Sequence, residues 1–380
     1  MSLAKTYAVM MKETRHILRD RTTFLLLLLI PVGLMIIFAY ALAVDIKEVP
    51  ITLLNYDRGV YSRDYVTMLS NSQDLVVGQP AENYAQIEDW FDRSLVKAVI
   101  VIPPDFSSSL QSGQPADIQL LVDGTDPATA EFAMNHILSR SMVFGYDVAI
   151  EIYGRQAGAG ALAAIKEPLD LRIRTWYNPT LSNRVGIVPA LLALVLNLPA
   201  LAVMTSIVRE KELGTLEAIF ATPLSRGELL VGKIIPYVFF SLISAILCAA
   251  AAVGIFDVPF RGSFLLFLLM ATLFFLATFS MALLISIFLP TQAAAAIGGL
   301  LIFIFPAFFI SGIFFPVSAF PDIVRMEASF IPSTPFVAVV RGLMIKGQGL
   351  EALWPQAAIL LGVFVVMTLL SILLFKKKIA

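Results

Sequence analysis

The chain has 380 residues, 58% of them hydrophobic and only 14% charged, with a mean hydropathy of +0.84. Soluble domains of this size carry about 25% charged residues, so an ordinary water-soluble globule is excluded. A net charge of −1 gives no sign of a nucleic-acid partner, and none is expected.

Residues 2–22 place Leu3, Tyr7, Met10, Met11, Ile17 and Leu18 at helical spacing between Lys5, Lys12, Arg15 and Arg19. That pattern predicts a cytoplasmic amphipathic helix over 1–22, lying along the membrane surface. A first span follows at 23–44, with its apolar run beginning at Phe24. The run is longer than a typical signal core and no small-residue cleavage site follows closely, so no cleavable signal is expected.

Segment 45–182 alternates strand and helix signals and predicts an extracytoplasmic α/β domain with its own core. Strands are expected at Val49–Tyr56, Val96–Ile102, Ile118–Val122 and Leu171–Tyr177. Helices are expected near 60–71 and 83–93, from an Asp105 cap to Gln111, and over 128–156. Asp123, Asp126 and Glu131 invite a calcium reading, but turn chemistry ahead of the long helix explains them more simply.

Apolar windows at 184–208, 230–256, 263–289, 293–315 and 354–375 predict five further spans within 183–380. The fold class is therefore an α-helical polytopic membrane protein with six transmembrane helices and an inserted extracytoplasmic mixed α/β domain. Lys5, Lys12, Arg15, Arg19 and Arg21 precede the first span, and Lys376–Lys378 follow the last. By the positive-inside rule both termini are expected in the cytoplasm. The loop 45–183 carries 18 acidic and 10 basic residues, net −8, against +7 for the remainder, which agrees with that topology.

Between the second and third spans runs VREKELGTLEAIFATPLSR, Val208–Arg226. Arg209, Glu210, Lys211 and Glu212 are expected to extend the second span into water. Gly214 bends the chain, and Thr215 is expected to cap a short helix that presents Leu216, Ile219 and Phe220 on one face. Thr222-Pro223 ends it. A short charged helix of this kind suits docking to a soluble partner. After the fifth span, Pro316, Pro321, Pro332 and Pro335 break the segment repeatedly, which predicts two short re-entrant helices over 316–345.

No G-x-x-x-x-G-K-[ST] loop occurs. Gly232-Lys233 lacks both the preceding glycine and the following hydroxyl residue. With one cysteine (Cys248, expected as a packing residue) and two histidines far apart, neither a disulfide nor metal chemistry is expected. The third to sixth spans carry no charge at their centres, which argues against a proton relay and for a cavity of apolar side chains. Small residues at Ala293–Ala296 and Gly298-Gly299 would allow close helix approach at a dimer interface.

Four stretches together resemble the ABC type-2 (type V exporter) permeases, and more narrowly the bacterial multidrug-type members. They are 99–127, 176–196, 208–237 and 312–347. The resemblance implies a permease that dimerises with a second copy or a paralogue and recruits ABC ATPase subunits as separate polypeptides. The chain itself would then be no enzyme and would hold no cofactor, with ATP and Mg bound in the partner. It implies a coupling helix at 209–226, using Arg209, Glu210, Lys211, Gly214, Thr215, Leu216, Glu217, Phe220, Thr222, Pro223 and Arg226. It also implies an outer gate of Phe314, Phe315, Pro316, Phe320 and Pro321. The expected location is the bacterial inner membrane, among its lipids, with the outer domain against a periplasmic adaptor or its own copy. The expected activity is ATP-driven export of lipophilic or amphiphilic compounds; an envelope mechanotransducer that moves no cargo is the alternative.

Overall fold

A computed structural model describes residues 2–43, 47–72, 74–157, 176–179, 182–215 and 224–374, without the side chains of 153–157 and 226. The chain divides into two compact units, 1–44 with 174–380, and 45–173.

Among the described residues of the first unit, six helices are long and apolar enough to cross a membrane: Arg21–Leu42, Asn183–Glu212, Gly227–Gly254, Phe264–Ser286, Gln292–Ile310 and Leu350–Leu374. The six-span helical class read from hydropathy is thus observed. The second span is the core of the bundle, with 94% of its most apolar window buried, against 22% for the first and fifth and 11% for the sixth. It is not one continuous rod. Its helix stops at Val195 and resumes at Leu198, where Pro199 has no N–H to offer. Asn197 repairs the break: its Nδ2 donates to the carbonyls of Ala193 and Leu194, both at 3.0 Å. Its Oδ1 accepts from Ser333 Oγ at 3.0 Å, so a fully buried amide is satisfied.

The first and fifth spans widen into one π-turn each, Leu25–Leu29 and Leu300–Ile304. Each turn ends just before a proline, Pro31 or Pro306, that removes a backbone donor. Ala295 and Gly299 face inward. A Cβ on Gly299 would lie 2.8 Å from Met204 Cε, so this glycine serves packing inside the chain. Ala293, Ala296 and Ile297 remain exposed on the same helix. Cys248 is buried in the third span. Ser280 and Thr368 hydroxyls pair at 2.9 Å, which sets the ends of the fourth and sixth spans side by side.

Beyond the fifth span, helices Asp322–Phe330 and Ser333–Lys346 meet at an 82° bend. Phe336 of the second stacks on Phe274 of the fourth span at 4.2 Å, with the rings 9° from parallel.

The described residues of the second unit form a four-stranded sheet of β1 (Val49–Asn55), β2 (Leu75–Val77), β3 (Ala98–Ile102) and β4 (Gln119–Val122), in the order β2-β1-β3-β4. β1 runs parallel to β2 and β3, and β4 is antiparallel to β3. β3 is apolar throughout (AVIVI) because both sheet faces are covered. Tyr65, Leu69, Ala133 and Ile137 pack on one face. Ala81, Ile87 and Trp90 pack on the other. The three-residue β2 was too short to stand out in the sequence, and the segment expected to form a strand at Leu171–Tyr177 lies mostly outside the described residues.

Asp105 does not cap the Phe106–Gln111 helix as expected, because its backbone (φ −97°, ψ 2°) is not extended as an N-cap requires. Asp57 supplies the cap from another loop. Its Oδ2 accepts from Ser107 N and its Oδ1 from Gly59 N, both at 2.9 Å. Burial pushes the Asp57 carboxyl up, but hydrogen bonds from Ser107 and Gly59 outweigh it and hold the group below the usual carboxylate range. Asp123 accepts from Lys97 at 2.7 Å and from the Thr125 hydroxyl and amide, which lowers it to about 2. Asp126 accepts from Thr129 at the start of Pro127–Ala157, so these two acids carry out turn chemistry.

Gly59 leaves no room for a side chain, since a Cβ there would overlap the Ser107 hydroxymethyl group. Gly59→Ala is expected to cost about 1–3 kcal/mol, seen as faster hydrogen exchange of β1 and β3 amides in the full chain. Ser107→Gly in the same chain should restore protection. Unchanged exchange in the single variant would refute the close fit.

Candidate functional site

The four charges Arg209–Glu212 do not simply project into water; each grips a different element. Arg209 Nη1 donates to Asp20 Oδ2 at 2.8 Å, just ahead of the first span. Lys211 Nζ donates to the carbonyls of Ile287 and Leu289 at 2.8 and 3.2 Å, where the fourth span ends. Those are orphan carbonyls of a helix terminus, and a cation suits them. Glu212 Oε2 accepts from the Gln292 amide and side chain, both at 3.1 Å, where the fifth span begins.

Glu210 is the centre. Its two oxygens accept from Lys12 of the amino-terminal helix Leu3–Arg19 and from Lys233 of the third span, the latter at 2.8 Å. Lys233 also reaches Glu13 Oε1 at 3.2 Å, and Lys12 reaches the same oxygen at 3.1 Å. The side chains of Glu13 and Lys233 are 1% and 5% exposed. Two lysines and two glutamates thus make a neutral cluster that joins three helices. Lys233 lies six residues into its span, about 9 Å from the helix start. At that depth an ammonium is tolerated only with its partners in place.

The amino-terminal helix reaches the cluster because Gly232 lets it approach. A Cβ at Gly232 would lie 2.8 Å from Val9 Cβ and 3.0 Å from Thr6 O. Thr6, Val9, Glu13 and Ile17 form the buried stripe of that helix. Leu3, Tyr7 and Leu18, grouped with Ile17 as one apolar set from the sequence, instead face outward. Asp20 caps the first span through the amides of Thr22 and Thr23. Burial pushes its carboxyl up, but those bonds and Arg209 prevail and hold it low. Ser225 and Glu228 form a capping box at the start of the third span, whose helix opens at Arg226. Glu228 also accepts from Ser2 N.

Gly214, at φ +71°, ends the second-span helix in the left-handed region that glycine favours. The Thr215 hydroxyl donates back to Glu210 O at 3.1 Å, closing that helix end. The following helix that Thr215 was expected to cap lies outside the described residues. Leu216, Glu217, Phe220, Thr222 and Pro223 lie outside the described residues.

At the opposite ends of the second and fifth spans, Phe314 is half-buried, 4.9 Å from Phe308. Phe320 is half-buried, and Phe315, Pro316 and Pro321 are exposed. Glu13, Lys12 and Lys233 were not singled out from the sequence. The available signal was a lone acid in a cationic helix and a lone lysine in an apolar run.

Six apolar spans, the charged junction and the bent hairpin define a multi-pass membrane protein. The sequence profile described as ABC-2 family transporter protein matches residues 21–373, and the chain belongs to that family. It is 30% identical over 352 residues to the probable multidrug ABC transporter permease YbhS of Escherichia coli K12, covering 92% of this chain and 90% of the relative. It is 25% identical to the probable multidrug ABC transporter permease YbhR of the same strain, with 92% of each chain covered. It is 26% identical to that strain's inner membrane transport permease YhhJ, over 97% and 96% of the two chains.

Lys233→Met would leave Glu13 and Glu210 facing each other with only Lys12 between them. It is expected to destabilise the full chain by about 3–5 kcal/mol. Adding Glu13→Gln should recover more than half of the lost thermal stability in detergent. Equal losses in the single and double variants would show that the charges are not coupled.

Proposed function

We propose that this chain is the membrane-spanning subunit of an ATP-driven exporter. It moves lipophilic or amphiphilic compounds outward across the inner membrane while separate ABC ATPase subunits hydrolyse ATP. The observation that carries the reading is the junction around Glu210. Four consecutive side chains bind the amino-terminal helix and the ends of four spans, immediately before the loop 213–225. A force applied to that loop therefore reaches most of the bundle at once. Membership of the ABC-2 family and the names of the relatives support the same reading.

In this account the junction end faces the cytoplasm, where Lys5, Arg15, Arg19 and Arg21 add positive charge. The α/β unit then lies outside, within reach of a periplasmic adaptor. Segment 216–223 docks on the ATPase, with Glu217 at the contact and Leu216 and Phe220 in a groove. Two permease chains, identical or paralogous, face each other, and Phe314, Phe315, Pro316, Phe320 and Pro321 close the outer end by excluding water. The chain carries no phosphate-binding loop of its own, so ATP and Mg belong to the partner.

Efflux of a lipophilic fluorescent dye from energised vesicles that contain the chain and its ATPase tests this. Glu217→Arg with Phe220→Asp should lower ATP-driven efflux at least tenfold while thermal unfolding of the bundle is retained, since only side chains at the proposed ATPase contact are altered. Full efflux in that variant would refute the coupling role. ATP hydrolysis with no dye movement in the unmodified complex would favour a mechanotransducer.

A further inference from the structure

We propose that Arg341 is the clasp that holds the outer end shut, a positioning residue for the gate segment. This rests on the gate reading given above. Arg341 lies within the second hairpin helix, Ser333–Lys346, just before its α-turns give way to the π-turn Gly342–Lys346, and its guanidinium is half-buried. Its Nε donates to Gly186 O at 3.1 Å, in the first turn of the second span. One terminal nitrogen donates to Gly312 O at 2.7 Å and the other to Ile313 O at 2.8 Å, just past the fifth span. No acidic partner of Arg341 occurs among the described residues. The cation is held by backbone carbonyls alone.

The chemistry suits a clasp. A guanidinium presents donors in a rigid planar fork, so it addresses two adjacent carbonyls and a third on another element simultaneously. Gly312 and Ile313 follow a helix C-terminus, where unpaired carbonyls and the helix dipole favour a cation. Gly312 adopts φ +90°, a conformation that side chains rarely allow, and this backbone orients its carbonyl for the contact. The next residues are Phe314 and Phe315. Arg341 therefore fixes the backbone from which the gate side chains project, and ties it to both the hairpin and the second span. Parting those three elements to open the outer end requires breaking three charge-assisted hydrogen bonds. The clasp sets how often the gate opens without fuel. It lies at the far end of the second span from Glu210, so a movement of that span bears on both.

The test uses the full chain with its ATPase in proteoliposomes, with Cys248→Ser and a Phe314→Cys reporter. The rate of modification by a membrane-impermeant maleimide is read with and without ATP. A lysine has one compact ammonium and cannot serve three carbonyls from two elements, so Arg341→Lys should raise the ATP-free rate about tenfold. It should do so with ATP hydrolysis retained, and the further rise on adding ATP should shrink. Should Arg341→Lys not accumulate in the membrane, Gly312→Ala moves an acceptor instead and should give the same rise. If the reporter responds to ATP but its ATP-free labelling is unchanged by Arg341→Lys or by Gly312→Ala, the clasp is wrong and the gate stands. If the reporter never responds to ATP, the gate reading fails and takes the clasp with it.

Discussion

A carboxylate and an ammonium almost wholly removed from water must find each other, and Glu13 and Lys233 do so at 3.2 Å. Taking each out of water costs several kcal/mol, which only good geometry and further partners offset. Glu210 and Lys12 complete the set, and with them three separate helices acquire one fixed arrangement. The rest of this end follows from that requirement. Gly232 must be a glycine for the amino-terminal helix to come near enough, and Arg209, Lys211 and Glu212 are each aimed at a different neighbouring terminus. Replacing the cluster by apolar side chains could be as stable, so its value lies in specifying which helices meet and in what register.

The second span connects the two ends of the bundle. It is enclosed by its neighbours over most of its length, interrupted at Asn197, and anchored at each end by hydrogen-bonded charge: the Glu210 cluster at one and the Arg341 guanidinium at Gly186 at the other. The break is bridged by side-chain hydrogen bonds and tied to Ser333 of the hairpin. A helix with this construction can transmit displacement along its axis and still bend at a defined point.

Much of the fold was legible in the sequence because long apolar runs and strand alternation are local signals. All six spans, the strands at Val49, Ala98 and Gln119, and the helices between them emerged within a few residues of their observed limits. What was hidden depends on pairing across the chain. Nothing local says that Glu13 meets Lys233 220 positions away, so the stripe of Thr6, Val9, Glu13 and Ile17 did not stand out. Asp57 capping a helix that starts at Phe106 was hidden for the same reason. For the candidate site, the sequence located the charged run but described its side chains as facing water, when three of the four ends they grip belong to other spans and the fourth to the segment leading into the first.

The central claim is that the amino-terminal helix and the starts and ends of the spans around Glu210 move as one block. Short thiol-bearing arms on Asp20→Cys and Arg209→Cys, in a chain with Cys248→Ser, form a disulfide across a contact that this block already makes. ATP-driven transport by the oxidised complex should match that of the reduced complex. Loss of transport on oxidation, recovered on reduction, would mean that the junction has to come apart during the cycle and would contradict the account.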